Sequence, residues 1–300
     1  MYFERYLNDL DTFFMLLQTH FWKKLTERNS LIIFDEVQMF PQARAAIKYL
    51  VADGRYDYIE TGSLISIREN VKNIVIPSEE RHINMYPLDF EEFAIALEED
   101  LLVEYIKKCF EKREPLERSM HNQAMLLFHQ YMLVGGMPMP VVAFIENKKD
   151  FTEVDKEKRD ILKLYREDIH AFDENELLED EVYKQILAGK LQINEGMLYE
   201  NAIAQMLVAN GHKLYFYTHY NENKHRNDME IDFIISNNSR LKYKMFPIEV
   251  KLGKQYKTTS LNNFREKYKE RIGESYIIHP RNLIVKDGII CIPPYMTMNI

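Results

Sequence analysis

The sequence predicts an α/β protein built in successive parts, and three stretches carry that prediction. Leu31–Phe34 is an unbroken apolar run that ends abruptly at Asp35 and Glu36. Such a run reads as a strand buried on both faces of a parallel sheet, with its carboxyl end presenting the acids. A helix and a second short strand follow, the spacing of a right-handed strand–helix–strand crossover. From about Gly189 onward the pattern restarts with a helix and several alternating strands.

In chain order, Tyr2–Arg28 carries Leu7, Leu10, Phe13, Phe14, Leu17, Phe21 and Leu25 on one broad face and is expected to be largely helical. After the Leu31–Phe34 strand, Pro41 suits the first position of a helix. Ala43, Ala46, Ile47 and Leu50 line one side of that helix, and Gly54 stands at its end. Tyr56–Glu60 is the second strand and runs into Thr61-Gly62-Ser63. Val71–Ile76 and Arg81–Met85 are expected as strands around a turn at Pro77–Glu80. Asp89, with Glu92 three residues on, is a capping box for a helix reaching about Lys112, its face marked by Phe93, Leu97, Leu101 and Tyr105. The charged stretch Glu111–Arg118, broken by Pro115, reads as a linker. His121–Leu133 is a second amphipathic helix stopped by Gly135-Gly136-Met137-Pro138, Lys148–Arg166 a charged helix, and Phe172–Glu181 an acidic connector. The helix Glu195–Asn210 ends at Gly211, and strands are expected at Lys213–Thr218, Glu230–Ser236 and Phe246–Leu252.

Composition narrows the function. The 300 residues carry 46% hydrophobic and 29% charged side chains, ordinary for a globular protein of two or three domains. A net charge of −8 gives the molecule no general attraction for nucleic acid, although Lys and Arg crowd Arg240–Arg271. Two cysteines, Cys109 and Cys291, form neither a disulfide framework nor a zinc site and suit a reducing cytoplasm. The N-terminus has no signal-peptide core, and no apolar stretch approaches membrane-spanning length. No metal-spaced histidine pair and no nucleophilic triad is visible among the nine histidines.

The two strands and their polar ends resemble the AAA-type ATPases of bacteria and archaea. The resemblance implies that Asp35 and Glu36 form a Walker B element, with Asp35 on Mg²⁺, Glu36 polarising the attacking water and Thr61 as a sensor of the γ-phosphate. On the residues alone, an acid pair ending a strand can equally cap the next helix. Tyr86-Pro87-Leu88-Asp89-Phe90-Glu91-Glu92-Phe93 resembles the "PLSFxEF" segment of that family. Its Gly135-Gly136 pair followed by Pro is similar to the family's small winged-helix-like middle domain, though a plain helix stop explains the same residues. Arg44, Arg55, Arg68 and Arg81 are candidates to face phosphate. ATP and Mg²⁺ are the cofactors implied. The run G-x-x-x-x-G-K-[ST], whose backbone amides and lysine cradle phosphates, is found nowhere in this sequence. A P-loop sheet lacking its first strand–helix unit is expected, through truncation, gene-model error or real loss, with ATP hydrolysis lost in this chain.

In the last part, Ile248, Val250 and Leu252 share one face of a strand, so Glu249 and Lys251 share the other. An antiparallel hairpin would bring Asp232 opposite them, behind a helix carrying Glu200. Glu195–Asn201, Glu230–Phe233 and Ile248–Lys251 resemble the domain of unknown function that accompanies this ATPase family, itself counted as nuclease-like, of PD-(D/E)XK type. The resemblance implies Mg²⁺ or Mn²⁺ on Glu200, Asp232 and Glu249, and Lys251 as a catalytic residue. The alternative is a solvated Glu-x-Lys ion pair on an edge strand.

The expected organisation is therefore 1–115 as an AAA ATPase core without its phosphate loop, 116–185 as a helical, winged-helix-like middle region, and 186–300 as a nuclease-like α/β domain. The expected function is part of an AAA-type ATP-binding protein. The alternatives are a metal-dependent nuclease or nucleic-acid-binding protein on an inactive ATPase scaffold, and a non-catalytic regulatory protein. DNA through the C-terminal domain and a second copy of the chain are the partners considered, with no membrane.

Overall fold

The computed structural model describes residues 6, 9–37, 41–62, 81–172, 195–221, 226–237, 244–253 and 256–300. It has the mixed α/β architecture expected, divided into two compact units, Met1–Asn84 and Met85–Ile300. The strand expected at Val71–Ile76, its turn and the acidic connector after Phe172 lie outside the described residues.

In the first unit, helix α1 (Leu10–Phe21) begins where the Asp9 carboxylate accepts a 3.1 Å bond from the Thr12 N–H. It ends sooner than the apolar face predicts, because Trp22 takes a left-handed conformation, φ 52°, and turns the chain. Strand β1 (Leu31–Phe34), helix α2 (Pro41–Asp53) and strand β2 (Asp57–Glu60) form the expected crossover, with β1 parallel to β2 from Leu31 opposite Asp57 to Phe34 opposite Glu60. The residues predicted to line α2, Ala43, Ala46, Ile47 and Leu50, are all buried, and Gly54 follows at φ 73°. Phe13, Phe14, Ala46, Ile47, Leu50 and Tyr56 make the core, joined by Ile32, Phe34 and Tyr58 from one face of the strands.

The other face of that two-stranded sheet departs from expectation. Leu31 and Ile33 are 50% and 57% exposed, beside exposed Ile59. The apolar run was read as buried on both faces, but burial here alternates, since α1 and α2 supply core to one side.

The second unit is a six-stranded mixed sheet with a core on each face. Its strands are β3 (Tyr215–Asn221), β4 (Arg226–Asn237), β5 (Lys244–Val250), β6 (Tyr276–Ile278), β7 (Ile284–Lys286) and β8 (Ile289–Ile292), in the spatial order β3-β4-β5-β6-β8-β7. On one face lie α3 (Phe90–Ala96), α4 (Asp100–Lys112), α5 (Arg118–Val134), α6 (Pro138–Glu146), α7 (Phe151–Phe172) and α8 (Glu195–Ala209). Most of these helices pack Phe90, Phe93, Ile106, Phe128, Ile203 and Met206 against Ile248, Val250, Ile278 and Ile292 of the sheet. The short helix α9 (Thr259–Lys267) covers the opposite face, where Leu261 and Phe264 meet Ile231, Ile234, Ile277 and Cys291. A closing 3₁₀ turn, Pro294–Asn299, is itself core, with Tyr295 and Met296 fully buried.

Three sequence expectations are corrected from residue 81 onward. Arg81–Met85 is not a strand; no regular element occurs at 81–89. The capping box of Asp89 and Glu92 is present, but the helix it starts breaks after Ala96. Glu98 there adopts φ 64°, which re-phases the next helix and leaves Leu101 82% exposed while Leu102, Val103 and Ile106 go inside. The stretch 111–118 is no linker. Leu116 is buried, and Asn282 bonds both its N–H (3.0 Å) and its carbonyl (2.6 Å), while Arg113 forks onto Glu274 at 2.8 and 2.9 Å. The boundary expected near 115 thus falls inside the second unit, where helices and sheet share one core.

The segment before α3 is fastened by a glycine. The Leu88 N–H donates to the Gly136 carbonyl at 2.8 Å, and the Tyr131 hydroxyl donates to the Leu88 carbonyl at 3.1 Å. A Cβ on Gly136 would sit 2.0 Å from that Leu88 carbonyl oxygen, so only glycine permits the approach. The Pro-Leu segment and the glycine pair, far apart in sequence, are two halves of one contact.

Candidate functional site

In the first unit the polar residues gather where the two parallel strands end. Phe34 is in register with Glu60, so Asp35 and Thr61 emerge side by side. The Thr61 N–H bonds to the Phe34 carbonyl and the Val37 N–H to the Thr61 carbonyl, each at 2.9 Å. The Thr61 hydroxyl donates to the Asp35 carboxylate and accepts a 3.2 Å bond from the Glu36 N–H. One threonine therefore holds both acids, and all three side chains stay exposed. Glu36 is held at φ 51°, a left-handed conformation that costs a residue with a side chain about 1–2 kcal/mol.

Two of the four arginines considered to face phosphate are engaged elsewhere. Arg44 is buried and paired with Glu60 of β2. Arg55 lies over the Phe14 ring and pairs with Asp53 at 2.7 Å and Asp11 at 2.6 Å. Arg81 is exposed, and Arg68 lies outside the described residues.

In the second unit Asp232 and Glu249 lie on adjacent strands, continuing the antiparallel register in which Phe233 faces Ile248. The Asp232 carboxylate accepts a 2.7 Å bond from the Val250 N–H, which pins it to β5. Lys251 Nζ stands 3.5 Å from Glu249 and 3.9 Å from Asp232, bridging the two. Glu200 of α8 feels Asp232 and Lys251: burial raises its pKa first, then the Asp232 charge, while Lys251 opposes them. All four residues expected to meet therefore share one electrostatic neighbourhood.

Glu249 is the unusual member. Its side chain is 1% exposed, and among the described residues its carboxylate oxygens meet no polar partner nearer than the Lys251 ammonium at 3.5 Å. Burial pushes its pKa up to about 7, with Asp232 adding to the shift and Lys251 pulling against it. The reading of Glu-x-Lys as a solvated pair on an edge strand fails here, because β5 lies between β4 and β6.

Among the described residues no group of three or more His, Cys, Asp and Glu is disposed to hold a metal ion. Glu200, Asp232 and Glu249 are neighbours, but one Asp232 oxygen accepts from a backbone amide and Glu249 is buried. The residues as arranged do not fit a three-carboxylate metal centre, and no metal-dependent step follows from them. The Asp35 carboxylate, exposed and an oxygen donor of the hard type, has the chemistry a Mg²⁺ ligand needs.

Sequence reasoning found the neighbour of β5 on one side, β4, and missed the strands on the other. The strands β6 and β8 are short apolar runs, Tyr276–Ile278 and Ile289–Ile292, and that is the signal that could have found them. Behind them His279 is buried and stacked on Tyr256 with ring centroids 5.9 Å apart, and its Nδ1 accepts from the Arg281 N–H at 2.9 Å. Burial lowers its pKa to about 4. It is a neutral core histidine and takes no part in the site.

Matches to two family models support an AAA-type ATPase-like architecture. Residues 2–94 match the family described as an AAA domain, and residues 195–295 match a domain of unknown function (DUF4143). Each match spans about a third of the chain. AAA proteins in general use a nucleotide with Mg²⁺, whereas the second domain carries no assigned activity. No match was found among curated proteins or among solved structures. Among the described residues no helix is long and apolar enough to cross a membrane.

Proposed function

We propose that the first unit is the acid-and-sensor half of an AAA-type nucleotide site. The observation that carries this reading is Thr61, whose single hydroxyl links Asp35 and Glu36 at the carboxyl ends of two parallel strands. In such a site Asp35 would hold Mg²⁺, which supplies charge neutralisation to a bound triphosphate. Glu36 would accept a proton from water, and Thr61 would orient Asp35 until its single O–H turned from that carboxylate to the terminal phosphate. The sequence supplies no phosphate-cradling loop, so this chain binds Mn²⁺·ATP or Mg²⁺·ATP weakly, on the order of millimolar, and does not turn it over. Electron paramagnetic resonance of Mn²⁺ in the presence of ATP tests this. Asp35→Ala should remove the weak binding and Thr61→Val should reduce it. Binding indifferent to Asp35 would take the role away from the acid pair, and micromolar binding would mean that other residues hold the phosphates.

We infer further that the second unit is a nuclease-like scaffold of PD-(D/E)XK type. The specific support is the meeting of Asp232, Glu249 and Lys251 on adjacent strands. Its partner would be DNA, met through exposed Lys244 and Lys257, with retention that falls steeply as salt rises. Lys242 and Lys254, the other lysines considered, lie outside the described residues. Because the carboxylates do not gather three to a metal, DNA added with Mn²⁺ should be retained and left uncut. Metal-dependent cleavage abolished by Asp232→Ala would restore the catalytic alternative; absence of salt-sensitive retention would remove DNA as the partner.

A further inference from the structure

The outermost strand of the six-stranded sheet is built to pair with itself. β3 reads Tyr215-Phe216-Tyr217-Thr218-His219-Tyr220-Asn221 and stands at the end of the strand order, with β4 as its neighbour. Strands left at an edge are ordinarily protected by a charged residue, a proline or a bulge. β3 contains no Lys, Arg, Asp, Glu or Pro. The sheet does have two irregularities along this pair, but both place the extra residue in β4: Tyr215 to Tyr217 spans Ile234 to Ile231, and His219 to Tyr220 spans Met229 to Asn227. β3 itself therefore carries no extra residue over its seven positions.

The two faces of β3 differ. Tyr217 packs on Phe264 and Tyr268 of the α9 side, with ring centroids 5.1 and 5.9 Å away. On the opposite face Phe216 is 80% exposed, Tyr220 is 58% exposed, and Thr218 between them is also exposed. Large aromatic side chains presented this way on an uncharged edge need covering.

We propose that β3 pairs antiparallel with β3 of a second copy of this chain, about a twofold axis at Thr218. The sequence is self-complementary about that residue. Phe216 and Tyr220 stand two places to either side, so the axis sets each Phe216 opposite the partner copy's Tyr220, on the same exposed face. Two aromatic cross-strand pairs form, along with a new hydrogen-bond ladder. Charge favours this occupant over nucleic acid. β3 offers no positive side chain to a phosphate, and Glu230, opposite Thr218 on β4, is exposed on the same face. In the paired arrangement the two Glu230 residues are three strand spacings apart, about 14 Å, beyond the screening length at physiological salt.

Cross-linking tests the axis directly. Residues facing across an antiparallel pair have Cα atoms about 4.5–5.5 Å apart, within reach of a disulfide. The full chain carrying Thr218→Cys should oxidise to a covalent dimer, whereas Asn221→Cys, placed opposite Tyr215, should not. The native thiols, Cys109 and Cys291, are buried and give no background. In sedimentation velocity the unmodified chain should show a concentration-dependent dimer. Phe216→Lys should raise its dissociation constant at least tenfold, and Val285→Lys on the opposite edge strand β7 should leave it unchanged. A chain monomeric at all concentrations overturns the proposal, as does a dimer indifferent to Phe216→Lys or cross-linked better at 221 than at 218. Retention of an extended peptide or a single-stranded oligonucleotide by a monomer, lost on Phe216→Ala, would assign the edge to that partner and overturn it as well.

Discussion

Replacing Glu249 by glutamine isolates the energetic consequence of the buried carboxylate. The folded protein holds its proton to about pH 7, against an ordinary value of 4.5 in the unfolded chain. Below pH 4.5 both states are protonated and Glu249 has no pH-dependent effect. Between 4.5 and 7 the folded state binds the extra proton, so stability falls as pH rises. Above 7 the penalty is complete. At about 1.4 kcal/mol for each tenfold change in proton affinity, it amounts to roughly 3 kcal/mol. Glu249→Gln keeps the shape and loses the charge. Its stability relative to the unsubstituted chain should improve by about 2–3 kcal/mol between pH 5 and pH 8, read from urea unfolding at both pH values. Taking the difference between the two proteins cancels every other titrating group. Lys251→Met should push the transition above pH 7, because the ammonium 3.5 Å away favours the ionised form. A stability gap that stays constant with pH, or that turns against glutamine at pH 8, would refute the burial argument.

Three further substitutions test the fold. Gly136→Ala forces a Cβ to within 2.0 Å of the Leu88 carbonyl and should cost about 3 kcal/mol or more, seen as a lowered thermal midpoint. Asn282→Ala strands the Leu116 N–H and carbonyl at a cost of about 2–3 kcal/mol, measured in the same way. Glu60→Gln leaves the buried Arg44 guanidinium without its carboxylate and should cost about 3–5 kcal/mol in denaturant unfolding, whereas joint replacement of Arg44 and Glu60 by Met and Leu should recover most of it.

Much of the first unit was legible because short-range rules decide it. An apolar run, a proline at a helix start and a glycine at its end specify β1, α2 and β2 almost to the residue. What stayed hidden depended on distant partners. The break at Glu98 cannot be read from Phe93, Leu97, Leu101 and Tyr105, which continue a helical stripe straight through it; tertiary packing of Leu102 and Ile106 decides the phase. The anchoring of Leu116 depends on Asn282, which lies 166 positions further along the chain. In the second site the period-two alternation placed Asp232, Glu249 and Lys251 together, but burial of Glu249 depends on β6 and β8, whose pairing lies in the unread C-terminal stretch.

Both candidate sites break a local rule of the chain, and they do so by different means. At Glu36 the cost lies in the backbone: a left-handed residue that is not glycine, held by the Thr61 side chain and by the Val37–Thr61 bond. The side chain remains in water, so the strain serves to fix where an acid is presented, as a binding or sensing surface requires. At Glu249 the backbone is ordinary strand, and the cost lies in desolvation of a carboxylate that Lys251 only partly offsets. Presentation cannot be the purpose of a group that is 1% exposed. A buried acid between Asp232 and Lys251 instead makes the charge of the cluster change close to neutral pH. The first candidate site is thus fixed through its backbone, whereas the second holds a carboxylate whose burial raises its pKa.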